Sequence, residues 1–181
     1  MSKALSTPLK VILPYNFCFP PSGKAHTIDR CTFLHFRAKG YILAIDMTGR
    51  NVQEEAKKKG LPWSTAKGFD TFLPISSPIP KSAIPNPHNV HLWLSVNGSM
   101  KQNDGTELML FRIPRQLQDI SRVMTLERGD IVLTGTPKGV GPVTTSDVMR
   151  AGLKVDGKDI PEAKLEVEIA DKSGPYQFAE T

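Results

Sequence analysis

Two short apolar runs in this chain end directly in clusters of polar residues. Residues 41–45 form the first run, which ends at Asp46, and residues 131–133 form the second, which leads into the glycine- and proline-rich residues 134–142. Continuous apolar runs of this length are typical of buried β-strands. Because a rigid sheet holds the loops at its strand ends in place, both strand ends are favourable positions for functional side chains.

Alternating apolar and polar positions predict further strands. Residues 91–96 alternate in the manner of a half-buried strand, and residues 165–169 do so again near the end of the chain. The Asn97-Gly98 pair that follows the first of these is a strong hairpin signal, because a tight two-residue turn requires positive φ at both positions. A returning strand is therefore expected around residues 100–102.

Helical patterns are confined to two short segments. In residues 48–60 the acidic side chains precede the lysines, which matches the helix dipole, and Gly60 followed by Pro62 ends the segment. A second helix is expected to open at Pro114. Its apolar face would contain Leu117, Ile120, Val123 and Met124. A few short helices among many strands predict a β-rich α+β domain.

Composition agrees with such a domain and excludes several classes of protein. The 181 residues include 14 glycines and 15 prolines, and the proline-rich residues 61–90 predict a long loop. No apolar run approaches the roughly 20 residues that cross a bilayer, so no membrane partner is expected. The two cysteines provide neither a disulfide framework nor a zinc-finger spacing. The glycine patterns of phosphate loops and dinucleotide-binding turns are also absent from the sequence.

Charge separates the first residues from the rest of the chain. Residues 1–40 contain six basic residues and one acidic residue, whereas residues 41–181 contain 17 of each. The neutral body predicts no nucleic-acid partner. We therefore divide the chain into a divergent basic N-terminal segment, residues 1–39, and a C-terminal domain, residues 40–181. The segment is either a mitochondrial targeting peptide or an irregular, poorly ordered terminus, and the expected location is mitochondrial or cytoplasmic.

Polar side chains gather after the first predicted strand. Arg50 and Gln53 are three residues apart and share one face of the predicted helix, and Asp46 precedes them at the strand end. Together with Lys67 further along, these groups can hold a divalent cation and a carboxylate-bearing ligand. The alternative is an aspartate that caps the helix beside a solvated arginine.

The glycine-rich loop after the second predicted strand is the other candidate. Glycines in residues 134–141 allow the backbone to approach a ligand, and the Thr136 hydroxyl can donate a hydrogen bond. The alternative is a tight connection between strands that binds nothing.

Several ordered motifs together resemble the fumarylacetoacetate hydrolase family, and within it the small acylpyruvase and oxaloacetate decarboxylase branch. They occupy residues 46–53, 57–63, 66–67, 96–98 with Gln102, and 129–142. The resemblance extends from Gly40 to Ile169, which is most of the chain.

The resemblance implies a rolled mixed sheet with a few short helices, a homodimer, a bound Mg²⁺ or Mn²⁺ and a 2-oxo acid substrate. Asp46 would be a metal ligand. Substrate would be held by Arg50, Gln53, Lys67 and Thr136, and the catalytic groups would be Gln53, Lys67 and Thr136. The reaction would be hydrolysis of an acylpyruvate (a 2,4-dioxo acid) or decarboxylation of oxaloacetate, through an enolate that the metal stabilises as a Lewis acid.

The beginning of the chain departs from the family pattern. In the family, a His-x-Glu-x-Glu type motif precedes the first strand and supplies two further metal carboxylates, and an earlier His and Glu activate water. Residues 1–45 contain no Glu, and Asp29, three residues after His26, is their one acidic residue. One alternative is therefore a catalytically inactive, truncated paralogue or an incomplete gene model. Another is an oxaloacetate tautomerase, which requires enolate stabilisation but no attacking water.

Overall fold

Three sheets and three α-helices make up the described part of the fold. The computed structural model describes residues 40–126 and 129–171 with their side chains, and residues 5–6 and 9–14 as backbone strands. The strands are β1 (Leu5–Ser6), β2 (Leu9–Pro14), β3 (Gly40–Ile45), β4 (Thr48–Gly49), β5 (Ile79–Pro80), β6 (His91–Val96), β7 (Ser99–Gly105), β8 (Ile131–Leu133), β9 (Pro142–Val143), β10 (Val148–Val155), β11 (Lys158–Asp159) and β12 (Leu165–Glu168). The helices are α1 (Arg50–Lys58), α2 (Ser64–Lys67) and α3 (Ile113–Val123).

The pairing of these strands confirms the predicted β-rich α+β class. The strand orders are β4-β1-β9, β5-β3-β2-β8 and β11-β10-β6-β7, with β12 also paired to β10. The resemblance implied a mixed sheet, whereas every ladder between the described strands is antiparallel. β3 and β8 run parallel to each other, but β2 lies between them. No helix among the described residues is both long and apolar enough to cross a membrane.

The N-terminal segment contributes two strands to these sheets. β1 and β2 belong to residues 1–39 and pair with strands of residues 40–181. The rest of that segment, where a targeting peptide or an irregular terminus was predicted, lies outside the described residues. The division of the chain at residue 40 stays a prediction.

β3 is covered on both faces. Leu43 and Ile45 belong to the main core, whereas Ile42 and Ala44 form a second, smaller cluster against Leu133. All six residues of the strand are buried, as its continuous apolar run predicted. The main core also contains Leu92, Leu94 and Val96 of β6, Met149, Ala151 and Leu153 of β10, and Ile113 and Leu117 of α3. Packing on both sides therefore fixes the strand that ends at Asp46.

Two predicted apolar surfaces differ from the structure. Leu117 of α3 is buried, but Val123 is 82% exposed, and Met124, which follows the helix in an extended conformation, is 59% exposed. The predicted apolar face is wrong at its end because the last turn of α3 extends beyond the core. In β8, Val132 is buried but Ile131 is 41% exposed, so this strand is not buried throughout.

The buried hydroxyl of Tyr41 is a cost to the fold. Tyr41 is 1% exposed, and its hydroxyl oxygen has no hydrogen-bond partner among the described residues. Burial raises the pKa of Tyr41, because the tyrosinate form would have to be desolvated. Replacing this hydroxyl by hydrogen therefore removes an unsatisfied polar group without changing the shape of the core.

We expect Tyr41→Phe to leave the free energy of unfolding unchanged or to raise it by about 1 kcal/mol, measured by urea denaturation at neutral pH. The pKa of Tyr41 is higher in the folded chain than its unfolded value of 10.0. The unfolded chain therefore ionises first, and the fold loses stability as the pH rises past 10.0. Tyr41→Phe should remove that alkaline loss. The neighbouring control Leu43→Ala should cost about 2–5 kcal/mol. A clear loss of stability in Tyr41→Phe would contradict the unpaired hydroxyl.

The Asn97-Gly98 turn joins β6 to β7, as predicted, with φ of 50° and 78° at the two positions. A carboxylate from the β9–β10 connection braces it. Asp147 accepts a hydrogen bond of 2.7 Å from the Thr144 backbone N–H and one of 2.7 Å from the Asn97 amide. These two hydrogen bonds hold the pKa of Asp147 below its usual range.

Acid should weaken the fold through this carboxylate. Because the pKa of Asp147 is lower in the folded chain, its contribution is present above the unfolded value of 3.8 and is lost as the pH falls through the folded value. We expect Asp147→Asn to lower stability at neutral pH and to flatten its decline in acid. Urea titrations across that range measure both effects, with the exposed turn residue Asp156→Asn as the control. Parallel stability curves for wild type and Asp147→Asn would rule out this role.

Candidate functional site

The strand end at Asp46 is held by backbone hydrogen bonds on either side. The Ile45 N–H donates to the Pro74 carbonyl at 3.0 Å, and the Met47 N–H donates to the Phe72 carbonyl at 2.9 Å. Asp46 itself is 5% exposed. Its carboxylate is therefore both buried and fixed in direction by the backbone around it.

Lys67 reaches this carboxylate from a short helix. Residues 61–90 were predicted to be a loop, but residues Ser64–Lys67 form α2, so that prediction is wrong at this point. Lys67 Nζ donates to Asp46 Oδ2 at 2.7 Å, and the two side chains are 29% and 7% exposed. A buried carboxylate is stable when a cation compensates its charge, and Lys67 provides that compensation.

The first turn of α1 carries the next two candidate side chains. Gln53 is the one buried residue of α1, all of which the structure describes, and Arg50 is half-buried. Arg50 Nη1 donates to Gln53 Oε1 at 2.7 Å. A helix that buries an amide must satisfy it with hydrogen bonds, and Arg50 does so while being held in place itself.

The sheet ladders bring Thr136 to the same edge as Asp46. β2 pairs antiparallel with both β3 and β8, so both strands run toward the same end of the sheet, where β3 extends three residues beyond the level of Leu133. Two strand spacings, about 10 Å, separate β3 from β8. After this end of the sheet the chain continues into β4 on one side and β9 on the other, and β1 lies between them because it pairs with both. The segment that follows Asp46 and the loop that contains Thr136 are therefore neighbours.

Two glutamine side chains hold the loop that contains Thr136. Gln102 Nε2 donates to Thr136 Oγ1 at 3.0 Å and to the Pro137 carbonyl at 2.8 Å. Gln116 Nε2 donates to the Thr134 carbonyl at 2.9 Å. Gln102 was predicted only as part of a motif, and Gln116 was not predicted as a functional residue. An amide inside a strand or helix that packs on the core was the available signal, because such a group needs hydrogen-bond partners.

A cavity of about 430 Å³ borders this loop. Its described lining includes Leu108, Phe111 and Thr136, but neither Asp46 nor Lys67. The described lining of the cavity therefore contains Thr136 but no side chain of the Asp46 cluster.

Among the candidate site residues, Asp46 is the one with a carboxylate that can bind a metal ion. Residues 40–126 and 129–171 contain no group of three or more His, Cys, Asp or Glu side chains that could hold a metal ion. Mg²⁺ commonly uses only one or two protein carboxylates and retains several waters. Asp46 therefore fits a largely hydrated ion, and the described donor set does not fit a cage of three protein carboxylates. His26 and Asp29 lie outside the described residues.

The order of these motifs is that of a known family. Residues 38–168 match the fumarylacetoacetate (FAA) hydrolase C-terminal family, which is well over half of the chain. The chain belongs to this family. The predicted family resemblance is thereby confirmed.

Curated members of the family with similar sequences include two proteins named for oxaloacetate. Oxaloacetate tautomerase oaa1, mitochondrial, of Schizosaccharomyces pombe is 56% identical over 128 residues, which cover 70% of this chain and 58% of the relative. Oxaloacetate decarboxylase, mitochondrial, of Dictyostelium discoideum is 54% identical over 130 residues, which cover 72% and 59%. The chain thus spans little more than half the length of these relatives.

Two solved structures share this fold. The yeast protein ynq8, a fumarylacetoacetate hydrolase family protein, superposes with a TM-score of 0.84 at 37% identity, over 98% of this chain and 72% of that protein. Fumarylpyruvate hydrolase from Pseudomonas aeruginosa, solved in complex with Mn²⁺ and pyruvate, has a TM-score of 0.79 at 24% identity, over 95% and 68%. The second likeness is one of fold alone.

Proposed function

We propose that this chain acts on oxaloacetate, or on a similar 2-oxo acid, by forming its enolate, and that it interconverts the keto and enol forms. The observation that carries the proposal is the hydrogen-bonded ion pair of Lys67 and Asp46 at the sheet edge shared with Thr136. The name of the Schizosaccharomyces pombe relative supports the same substrate.

Arg50 and Gln53 would bind the carboxylate end of the substrate. A guanidinium group pairs with a carboxylate through two parallel hydrogen bonds, which fixes orientation as well as position. Gln53 already holds the Arg50 side chain at 2.7 Å, so little side-chain freedom is lost when the substrate binds. The substrate would then extend from α1 toward Lys67 and Thr136.

Tautomerisation breaks a C–H bond next to the carbonyl and forms an O–H bond on the carbonyl oxygen. One group that first donates and then accepts a proton is sufficient. Lys67, which the ion pair with Asp46 holds as the ammonium ion, can deliver its proton to the carbonyl oxygen, and the amine so formed can accept the proton from carbon, which restores the ion pair. Thr136 would donate a hydrogen bond to the enolate oxygen while the negative charge is present.

A divalent metal ion, Mg²⁺ or Mn²⁺, would be held by Asp46 together with water and substrate oxygens. When bound, it would supply Lewis-acid stabilisation of the enolate charge. With the metal bound, Arg50 and Gln53 would still hold the substrate carboxylate, and Lys67 and Thr136 would still act at the carbonyl oxygen.

Decarboxylation of oxaloacetate is the second candidate, which the name of the Dictyostelium discoideum relative favours. Loss of CO₂ leaves the enolate of pyruvate, so Lys67 and Thr136 would stabilise the same charge. Hydrolysis of acylpyruvates also requires an activated water, and none of the described site residues is assigned that task. That reaction stays a prediction, as does the inactive paralogue.

Calorimetry with Mg²⁺ and oxalate, an analogue of the pyruvate enolate, tests the proposal together with two assays. The ultraviolet absorbance of the enol measures tautomerisation, and NADH consumption by added lactate dehydrogenase measures pyruvate from decarboxylation. We expect saturable binding that requires both ions and is lost in Asp46→Asn, together with enol interconversion faster than in buffer. If the folded protein shows neither binding nor reaction, the proposal is contradicted and the inactive paralogue is favoured.

We also propose a mitochondrial location, because both relatives carry that location in their names. The cytoplasmic alternative and the homodimer stay predictions. Sedimentation equilibrium of the purified chain measures its oligomeric state.

A further inference from the structure

An irregularity in the β6–β7 ladder changes the direction of the side chains of β7. Leu94 pairs with Gln102 and the next residue, Ser95, pairs with Met100, so Lys101 is an extra residue in β7. A bulge of this kind re-aims the side chains beside it. Of the seven residues of β7, which the structure describes throughout, Gln102 is the one that is buried, at 1% exposure.

The Gln102 amide faces three acceptors in the loop after β8. Its Nε2 atom lies 3.0 Å from Thr136 Oγ1, 2.8 Å from the Pro137 carbonyl oxygen and 3.3 Å from the Lys138 carbonyl oxygen. Carbonyl oxygens can only accept hydrogen bonds, so the amide must present its NH₂ group to the loop rather than its oxygen. The orientation of this amide is therefore set by its partners.

The hydroxyl of Thr136 must accept from this NH₂ group. A hydroxyl has two lone pairs and a single proton, so accepting from Gln102 leaves the proton to be donated in another direction. The hydrogen bond that Thr136 donates to the Pro137 carbonyl is long, at 3.4 Å, and therefore weak. A substrate oxygen that approaches Thr136 would meet an available donor.

The loop has other supports that place its backbone. Gln116 Nε2 donates to the Thr134 carbonyl at 2.9 Å. A Cβ atom built on Gly139 would collide with the Lys101 carbonyl group, so Gly139 packs directly on the bulge. Gln102 adds a further hydrogen bond to the backbone, at the Pro137 carbonyl, and it also contacts the Thr136 hydroxyl itself.

We infer that Gln102 is a positioning residue, which fixes the Thr136 hydroxyl as a donor toward the oxygen of the bound enolate. The inference rests on the proposed function, because it concerns the charge that forms in that reaction. A donor that is already oriented before the charge develops stabilises it without reorganisation.

Gln102→Glu reverses this hydrogen bond. At neutral pH the introduced carboxylate would accept the Thr136 proton, and we expect kcat for oxaloacetate tautomerisation to fall about 10–100-fold. When acid protonates the introduced carboxyl group, its O–H can donate again, so the pH profile of the variant should recover toward acid, unlike that of wild type. Gln118→Met in α3 is the control for replacing a glutamine. A wild-type pH profile in Gln102→Glu would overturn the inference.

A double-mutant cycle with Thr136→Val separates positioning from a structural role. Without the hydroxyl, Gln102→Glu should lower kcat by less than about twofold, although it still lowers stability. Gln102→Met, of similar volume and without hydrogen-bond donors, is taken through the same cycle, so that the comparison does not depend on the folding of one variant. Equal falls in kcat with and without the hydroxyl would overturn the inference.

Measurements on the wild-type chain distinguish failure of the proposed function from failure of the inference on Gln102. If it neither binds Mg²⁺ with oxalate nor turns over oxaloacetate, the proposed function fails and this inference fails with it. If the wild type is active while Gln102 and Thr136 act independently, only the inference on Gln102 is overturned.

Discussion

Asp46→Asn is expected to abolish turnover and to weaken the fold at the same time. The variant loses the carboxylate that stabilises the Lys67 ammonium ion, so kcat should fall at least about 100-fold. The free energy of unfolding should fall by about 2 kcal/mol, less than the 3–5 kcal/mol typical of fully buried pairs. The smaller value follows from the Lys67 side chain, which is 29% exposed and can still contact water.

Lys67→Met tests the other half of the pair. It removes the cation that pairs with the Asp46 carboxylate, a side chain that is only 7% exposed, so it should destabilise the fold at least as much as Asp46→Asn does. The double variant removes both charges and should recover most of the stability but none of the activity. Urea denaturation and the tautomerisation assay, applied to all four forms, measure the two effects separately.

An exposed ion pair of similar length provides the control. Lys59 Nζ lies 2.8 Å from Glu55 Oε1 on α1, and the Lys59 side chain is 48% exposed. Lys59→Met should change stability by less than about 0.5 kcal/mol and leave kcat unchanged. Wild-type kcat in Asp46→Asn, or a double variant as unstable as its two parents, would contradict the assigned roles of Asp46 and Lys67.

Elements that depend on local chemistry were predictable from the sequence. The apolar run before Asp46 is a strand because both of its faces are covered, and a strand of that kind shows no alternation. The Asn97-Gly98 turn was predictable because its two positive φ angles suit these two residue types. In both cases a few adjacent residues contain the whole signal.

Contacts between distant segments were not predictable in the same way. Lys67 and Asp46 are 21 residues apart, and Gln102 and Thr136 are 34 apart. Lys67 was predicted to act together with Asp46, but the helix that carries Lys67 was predicted to be a loop. The bulge at Lys101 was not predicted, because an extra residue in a strand depends on the partner strand and not on local pattern.

The longest described strand, β10, was missed for a specific reason. Residues Val148–Val155 include Arg150, Gly152 and Lys154, which weaken the apolar pattern of a central strand. The structure shows why glycine is required there, since a Cβ atom at Gly152 would lie 2.7 Å from Cζ2 of the Trp93 ring. The glycine thus belongs to the packing of β10 against β6, although in the sequence it resembles a strand breaker.

Gly139→Ala should be among the most damaging single substitutions in the described part of the chain. Gly139 has φ of +95°, a conformation that costs an alanine about 1–2 kcal/mol. The added Cβ would also collide with the Lys101 carbonyl of β7, which is backbone and cannot rotate away. We expect a total loss of about 2–5 kcal/mol in the free energy of unfolding.

Two other glycines separate these contributions. Gly157 has φ of +76° and Gly141 does not have a positive φ, and a Cβ atom on either would meet no heavy atom within 4 Å. Gly157→Ala should therefore show only the backbone cost, and Gly141→Ala should be nearly neutral. If Gly139→Ala were no worse than Gly157→Ala, the loop would not be packed against the bulge. A larger loss together with a fall in kcat would indicate that the contact between Gly139 and Lys101 also helps to place Thr136, three residues earlier in the same loop.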